Sequence, residues 1–112
     1  IITGMIARPS RPSVRLTALA DPTRRAIFEA LRQQPCSVTE LAKSQPVSRP
    51  AVSQHLKILH DAKLVQATPK GSHRIYTVRA EGLNALRRYL DGFWDETLAA
   101  FGAEISKRNQ LR

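Results

Sequence analysis

"VSRPAVSQHLKIL", residues 47–59, decides how the rest of the chain is read. Its apolar residues Val52, Leu56 and Leu59 fall at i, i+4 and i+7, the spacing of one buried helical stripe. Pro50 stands two residues ahead of that stripe, where a helix interior would reject it. The conflict resolves if Ser48 is the N-cap, Arg49 N1, Pro50 N2 and Ala51 N3. A first-turn amide has no intrahelical acceptor, so a proline loses nothing there and its fixed φ suits the helix. Because Pro50 has no amide hydrogen, the Ser48 hydroxyl is expected to accept from the Ala51 amide. Val47 at N′ and Val52 at N4 complete a hydrophobic staple. Pro50 therefore marks a helix start, with the helix running from Ser48 to about Ala62.

The same grammar organises the segments upstream. In "CSVTELAKSQ" (36–45), Ser37 and Glu40 form a capping box, and Cys36 with Leu41 forms its staple. This short helix ends near Lys43 or Ser44, and Gln45-Pro46 makes a turn. In "ADPTRRAIFEALRQQ" (20–34), Asp21 is the N-cap and Pro22 occupies N1. Ile27, Phe28 and Leu31 supply an inward stripe, leaving Arg24, Arg25 and Arg32 outside, and the helix stops by Gln34, ahead of Pro35. "ARPSRPSVR" (7–15) interleaves basic and proline residues without apolar period, so residues 1–14 are expected to form a disordered basic arm. Within it Arg8 and Arg11, followed by Arg15, are candidate phosphate contacts. Order is expected from Leu16 and Leu19. Ile1 to Gly4 precede the first methionine and are set aside as a cloning remnant or an early start.

Downstream, "LVQATPKGSHRIYTVR" (64–79) changes to a two-residue period. It predicts a hairpin of about Leu64 to Thr68 and Arg74 to Val78, with Gly71 in a tight, basic tip. From about Glu81 to Lys107 the helical period returns. Leu83, Leu86, Leu90, Phe93, Trp94, Thr97, Phe101 and Ile105 lie on one broad stripe. The first three of these leucines are expected in the core. The aromatic remainder exceeds what a small domain covers alone, which points to a partner helix.

With 112 residues, 42% of them hydrophobic, one domain with a modest core is expected over residues 15–108. No apolar run is long enough to span a bilayer, and no signal-peptide pattern is visible. The single cysteine, Cys36, forbids an internal disulfide and suits a reducing cytoplasm. Eighteen Lys and Arg against nine Asp and Glu give a net charge of +9. That balance is the electrostatic footprint of a nucleic-acid binder, though it also suits anionic membranes. Aromatic residues are only 5% and are not interleaved with the cations, so a duplex is favoured over a single strand.

Two short capped helices joined by a tight turn and followed by a hairpin give a mainly α winged helix-turn-helix. The second helix of such a pair enters the major groove, N-terminal residues nearest the bases. Its outward face carries Ser48, Arg49, Pro50, Ser53, Gln54 and Lys57. Gln54 can pair bidentately with adenine, and Ser53 can bond either groove edge. Lys57 suits a phosphate, and Arg49 adds its guanidinium to the anion-attracting helix start. In the tip "PKGSHR" (69–74), Lys70, His73 and Arg74 can follow the backbone or enter a narrow minor groove.

"LADPTRRAIFEAL" (19–31), "SVTELA" (37–42), "VSRPAVSQHLKILHDAKLV" (47–65) and "GSHRIYTV" (71–78) resemble the arsenic-repressor (ArsR/SmtB) family of bacterial winged-helix regulators, over about Leu16 to Phe101. The resemblance implies a homodimeric, cytoplasmic, nucleoid-associated repressor that binds an imperfect inverted repeat in double-stranded DNA. It also implies a dimer interface from the N- and C-terminal helices, here Leu16, Leu19, Phe93, Trp94, Thr97, Phe101 and Ile105. Similar sequences often carry glycine where this chain has Lys63; a lysine held in that left-handed position costs about 1 kcal/mol, unless the cap differs.

Metal-responsive relatives place a Cys-x-Cys pair on the first helix of the DNA-binding pair, or Asp, His and Glu ligands on the terminal helix. "SVTELAK" (37–43) has no cysteine and no histidine follows His73, so the non-metal type, without cofactor or membrane partner, is expected. His55 is read as a core hydrogen-bonding residue, with His60 and His73 isolated. Cys36 lacks a neighbouring base and is read as a staple residue rather than a nucleophile or redox sensor. No triad, metal cluster or phosphate loop suggests an enzyme. The rival reading is a winged-helix module that contacts protein and has lost DNA readout. The effector remains open.

Overall fold

The described residues of the computed structural model are 11–110, with side chains described for 12–102. The order of elements is α1 (Arg11–Ala20), α2 (Pro22–Gln33), α3 (Val38–Ser44), α4 (Arg49–Asp61), β1 (Val65–Lys70), β2 (His73–Val78) and α5 (Ala80–Gln110). α3 and α4 form the helix-turn-helix, and the antiparallel β1–β2 hairpin is the wing.

Local chemistry starts each central helix where the sequence places it. Asp21 accepts from the Arg24 amide at 2.9 Å, with Pro22 in the first turn. Ser37 and Glu40 make both bonds of the capping box, 3.2 and 3.0 Å. The Ser48 hydroxyl accepts from the Ala51 amide at 3.3 Å, so Pro50 sits in the first turn of α4 without loss. At the far end of α4, the Lys63 amide donates to the His60 carbonyl (2.9 Å) and the Leu64 amide to the Leu59 carbonyl (3.0 Å). This is a Schellman cap, and it holds Lys63 at φ 64.

The core is formed by Ile27, Phe28 and Leu31 of α2, Leu41 of α3, Val52, Leu56 and Leu59 of α4, and Leu64 and Val65 at the wing's base. Cys36, also buried, exchanges backbone hydrogen bonds with Tyr76 of β2 (3.2 and 2.8 Å), tying the α2–α3 connection to the wing. Strand pairing runs from Val65↔Val78 to Lys70↔His73, so the strands extend further toward the tip than the apolar alternation indicates. Only Gly71 and Ser72 remain as the turn, with Gly71 at φ 63.

Four sequence expectations need correction. Residues 11–14 are helical, so the arm assigned to 1–14 is too long; residues 1–10 lie outside the described residues. Pro12 falls in the first turn of α1, where it is tolerated. The buried residues of α1 are Arg15 and Ala18, with Leu19 half-buried against the core, which leaves no run of large apolar residues at helical spacing to read. Arg15 is accordingly not part of a mobile arm that reaches DNA phosphates: it is buried in α1, and its Nε donates to the Ala62 carbonyl at the end of α4 (3.0 Å). Arg24 does not simply project outward. Half-buried, it donates Nε to the Ala18 carbonyl (2.6 Å), and Arg25 reaches the Leu19 carbonyl (3.4 Å), so both secure the end of α1.

The fourth correction concerns the terminal helix. Leu86 is buried, but Leu83 and Leu90 are 36% and 37% exposed, so the core claims only one of the three leucines. α5 packs on α1 near its start and then runs clear of the core; every described residue from 91 to 102 is exposed. A helix of 31 residues is about 46 Å long, more than this core can flank.

Candidate nucleic-acid interface

α4 presents two chemically distinct faces. Val52, Leu56 and Leu59 are fully buried, which fixes the rotation of the helix. Ser48, Arg49, Pro50, Ser53, Gln54 and Lys57 are then all exposed, as their spacing requires. The N-terminus of the helix, with its first-turn amides, lies at the same end as Arg49.

The wing divides its tip residues Lys70, His73 and Arg74 between two grooves. Ser53, Lys57 and His60 of α4 line a groove of about 200 Å³ with Ala67, Arg74 and Tyr76 of the wing. Lys70 and His73 instead line a second groove with Ser37, Thr39 and Glu40 of α3 and with Ile75 of β2, about 360 Å³. The register explains the division. Lys70 pairs with His73 while Arg74 pairs with Pro69, and successive residues point to opposite faces. Lys70, His73 and Arg74, read together as one tip, therefore lie on two sides of the hairpin.

His60 and Tyr76 were not singled out from the sequence for this face. His60 follows Ser53 and Lys57 by seven and three residues, so helical spacing alone could have found it. Tyr76 could not be found that way, because its position depends on how the wing folds back onto α4. His55 behaves as a packing residue: half-buried, its Nδ1 lies 3.4 Å from Arg24 Nη1.

Electrostatics around α3 are local and structural. The Ser37 amide, then the Ser37 hydroxyl, hold the Glu40 carboxyl below the usual carboxylate range, with lesser pulls from Lys43 and Lys70. The Arg24 amide does the same for Asp21. Burial, aided by the Glu40 charge, pushes the Cys36 thiol above its ordinary value, and Sγ lies 3.4 Å from the Gln34 carbonyl oxygen. A protonated, buried thiol is a poor nucleophile. Among the described residues no three His, Cys, Asp or Glu side chains converge as metal ligands, and no helix is long and apolar enough to cross a membrane.

Of the residues expected at a dimer interface, Leu16 is 45% exposed, and Phe93, Trp94 and Phe101 are 53–63% exposed. Thr97 is exposed as well. Leu19 differs: it is half-buried and packs against the core. Ile105 lies outside the described side chains. Val14 (38%) and Leu98 (58%) join the exposed apolar set. The Phe93 ring meets Tyr89 edge-on, centroids 5.0 Å apart.

Comparison with known proteins places this geometry among bacterial regulators. A model described as "Bacterial regulatory protein, arsR family" matches residues 21–67. The chain is 55% identical over 88 residues to the HTH-type transcriptional regulator Rv2034 of Mycobacterium tuberculosis, covering 79% of this chain and 82% of that protein. It is 30% identical over 78 residues to the transcriptional repressor SdpR of Bacillus subtilis, covering 66% and 87% respectively. Among solved structures, it resembles the homodimeric winged helix-turn-helix DNA-binding domain Mb0332 of Mycobacterium bovis, with TM-score 0.63 and 25% identity, over 79% of this chain and 82% of that one.

Proposed function

The chain belongs to the arsR family of bacterial regulatory proteins, and from that premise we propose that it represses transcription by binding an inverted-repeat operator as a homodimer. The observation that carries this reading is the shared groove in which Ser53 and Lys57 of α4 meet Arg74 of the wing. A capped helix start, an outward polar face and an arginine near the wing tip then bear on one side of the molecule. In this reading Gln54 and Ser53 read base edges, while Arg49, Lys57 and Arg74 contact phosphates. Lys70 and His73 reach the backbone from the other side of the wing.

Homodimerisation is supported by the exposed stripe of α5. Leu83, Leu90, Trp94 and Phe101 fall on one face, with Phe93 and Leu98 at its flanks. Unpartnered, such a face would leave a large apolar patch in water. The Mycobacterium bovis domain, whose description calls it homodimeric, supports the same assembly here. Two α4 helices would then occupy successive major grooves about 34–36 Å apart. The chain would act in the cytoplasm, on the nucleoid, and without a metal effector.

Footprinting on the region upstream of its own gene, with light scattering on the same sample, tests this reading. A protected inverted repeat and a dimer mass are expected. A clean monomer at micromolar concentration, or no specific protection at low salt, would leave the protein-interaction reading in its place.

A further inference from the structure

On the opposite end of α4 from Arg49, three cations from separate parts of the chain converge. Arg15 of α1, Lys63 after the end of α4, and Arg79 ahead of α5 line a polar cavity of about 200 Å³ with Glu81 and Gly82. α4 has 13 residues, which puts this cavity about 20 Å along the helix from the end proposed to meet bases. The cations here are therefore not explained by the groove that Ser53, Lys57 and Arg74 share.

Arg15 is the unusual member. It is 8% exposed, and among the described residues no carboxylate lies within ion-pair reach of it. Buried charges normally acquire a partner of opposite sign, because desolvation otherwise disfavours them. The Ala62 carbonyl accepts from Arg15 Nε, and a helix C-terminus offers only a partial negative charge. The Ala62 carbonyl takes one of the five guanidinium donors, and among the described residues no fully buried side-chain nitrogen lacks a partner, so donors not bonded within the protein face accessible space.

The floor of the cavity adds to the same sign. The first turn of α5 starts at this cavity, with the Gly82 amide donating to the Arg79 carbonyl at 3.1 Å, and the start of a helix favours negative charge. Gly82 lies so close to the Lys63 backbone that a Cβ there would overlap the Lys63 carbonyl oxygen. The start of α5 and the cap of α4 are thus locked together. Arg79 is held to the site's edge, its amide donating to the Leu64 carbonyl at 2.8 Å. The one carboxylate present, Glu81, pairs with Arg79 at 3.4 Å and is itself largely exposed, so an incoming anion can displace it.

We propose that Arg15, Lys63, Arg79 and the N-terminus of α5 form a binding site for a small anion of the phosphate class. Three donors of different reach would surround it: a rigid guanidinium from below, a flexible ammonium and a second guanidinium from the rim. The occupant would tie α1, the cap of α4 and α5 together.

The test titrates the full chain with inorganic phosphate and with pyrophosphate, ionic strength held constant with potassium chloride. The Lys63 and Gly82 amide resonances of the wild type, and the Gly82 resonance of the variants, are followed by NMR. Saturable shifts in the wild type, absent from both Lys63→Gly and Arg79→Gln, are expected. Lys63→Gly is the sharper variant, since glycine accepts φ 64 without strain and the fold should gain stability as the charge is lost. Unsaturable drift, or a Gly82 shift that persists in both variants, overturns the proposal. DNA phosphate is the other source of the same chemistry. In buffer free of such anions Lys63→Gly should leave duplex affinity within about twofold. A loss of about tenfold on specific and random duplex alike would assign these cations to the DNA backbone and overturn the small-anion site. The titration uses no DNA, so it stands or falls independently of the operator reading.

Discussion

Gln54 and Lys57 sit three residues apart on one exposed face, yet their chemistry separates their roles. An amide can satisfy adenine with two hydrogen bonds, whereas an ammonium is a point charge that suits any phosphate. Gln54→Ala should relax preference at one base pair by about 1–3 kcal/mol and leave random-duplex affinity nearly unchanged. Competition binding with single-base operator variants measures this; an equal loss on cognate and random duplex would refute it. Elsewhere, single residues do structural work that responds to pH. Backbone amides of Arg24 and Ser37 hold Asp21 and Glu40 below the usual carboxylate range. A carboxyl whose folded pKa is depressed adds stability above its unfolded pKa, and that stability is lost as pH falls through the folded value. Asp21→Ala and Glu40→Ala should therefore lower the thermal midpoint near neutrality, with the gap to wild type closing below about pH 4. A gap of constant size down to about pH 2.5 would show that the charge is irrelevant. Such caps were legible in the sequence because donor and acceptor lie within three residues. The arginines that secure α1 and α4 were not, because Arg15, Arg24 and Arg25 find their acceptors only after helices meet. Part of the basic composition that points to nucleic acid is spent on this internal work.

Elements whose large apolar residues repeat with a clear period were read correctly, and those defined by small residues or close backbone approach were not. α2, α3 and α4 carry both caps and stripes, so their ends agree with the sequence to within about a residue. α1 turns an arginine and an alanine inward, a pattern that hydropathy cannot register. For α5 the period was right, but the number of turns touching the core depends on where Gly82 seats the helix. There the missing side chain lets α5 press against the Lys63 carbonyl, while Leu86 is the one leucine of its stripe that reaches the core. Gly82→Ala must move the helix or the α4 cap, and overpacking of this kind costs about 1–3 kcal/mol. Urea denaturation followed by far-ultraviolet circular dichroism measures the loss, with Gly92→Ala as control, since a Cβ at Gly92 meets nothing within 4 Å. Gly92→Ala should be neutral or slightly stabilising in mid-helix. If Gly82→Ala matched it, the close approach would not be restricting α5.

For the whole molecule, the exposed stripe of α5 and the exposed face of α4 make linked demands. If α5 joins two copies, each DNA-contacting cation acts twice per complex, and the salt dependence of binding reports that doubling. Each neutralised phosphate contributes a slope of about −0.9 to log K against log salt on duplex DNA. Lys57→Ala removes one such contact per protomer, so the slope should flatten by about 1.8 in a dimeric complex and by about 0.9 if one chain binds alone. The measurement is a series of operator titrations between about 50 and 200 mM salt, comparing wild type with Lys57→Ala. Trp94→Glu supplies the companion experiment, because Trp94 is 63% exposed on the middle of the stripe and far from the core. A carboxylate there would be buried against its symmetry mate in a dimer, a like-charge contact without compensation. It should yield a folded monomer by light scattering, with weakened operator binding and a Lys57→Ala effect of about 0.9 rather than 1.8 in the double variant. A slope change of about 0.9 in the Trp94-intact protein would mean that only one of the two α4 helices meets DNA. In that event the α5 stripe would still need a partner, but the inverted repeat would lose its structural basis.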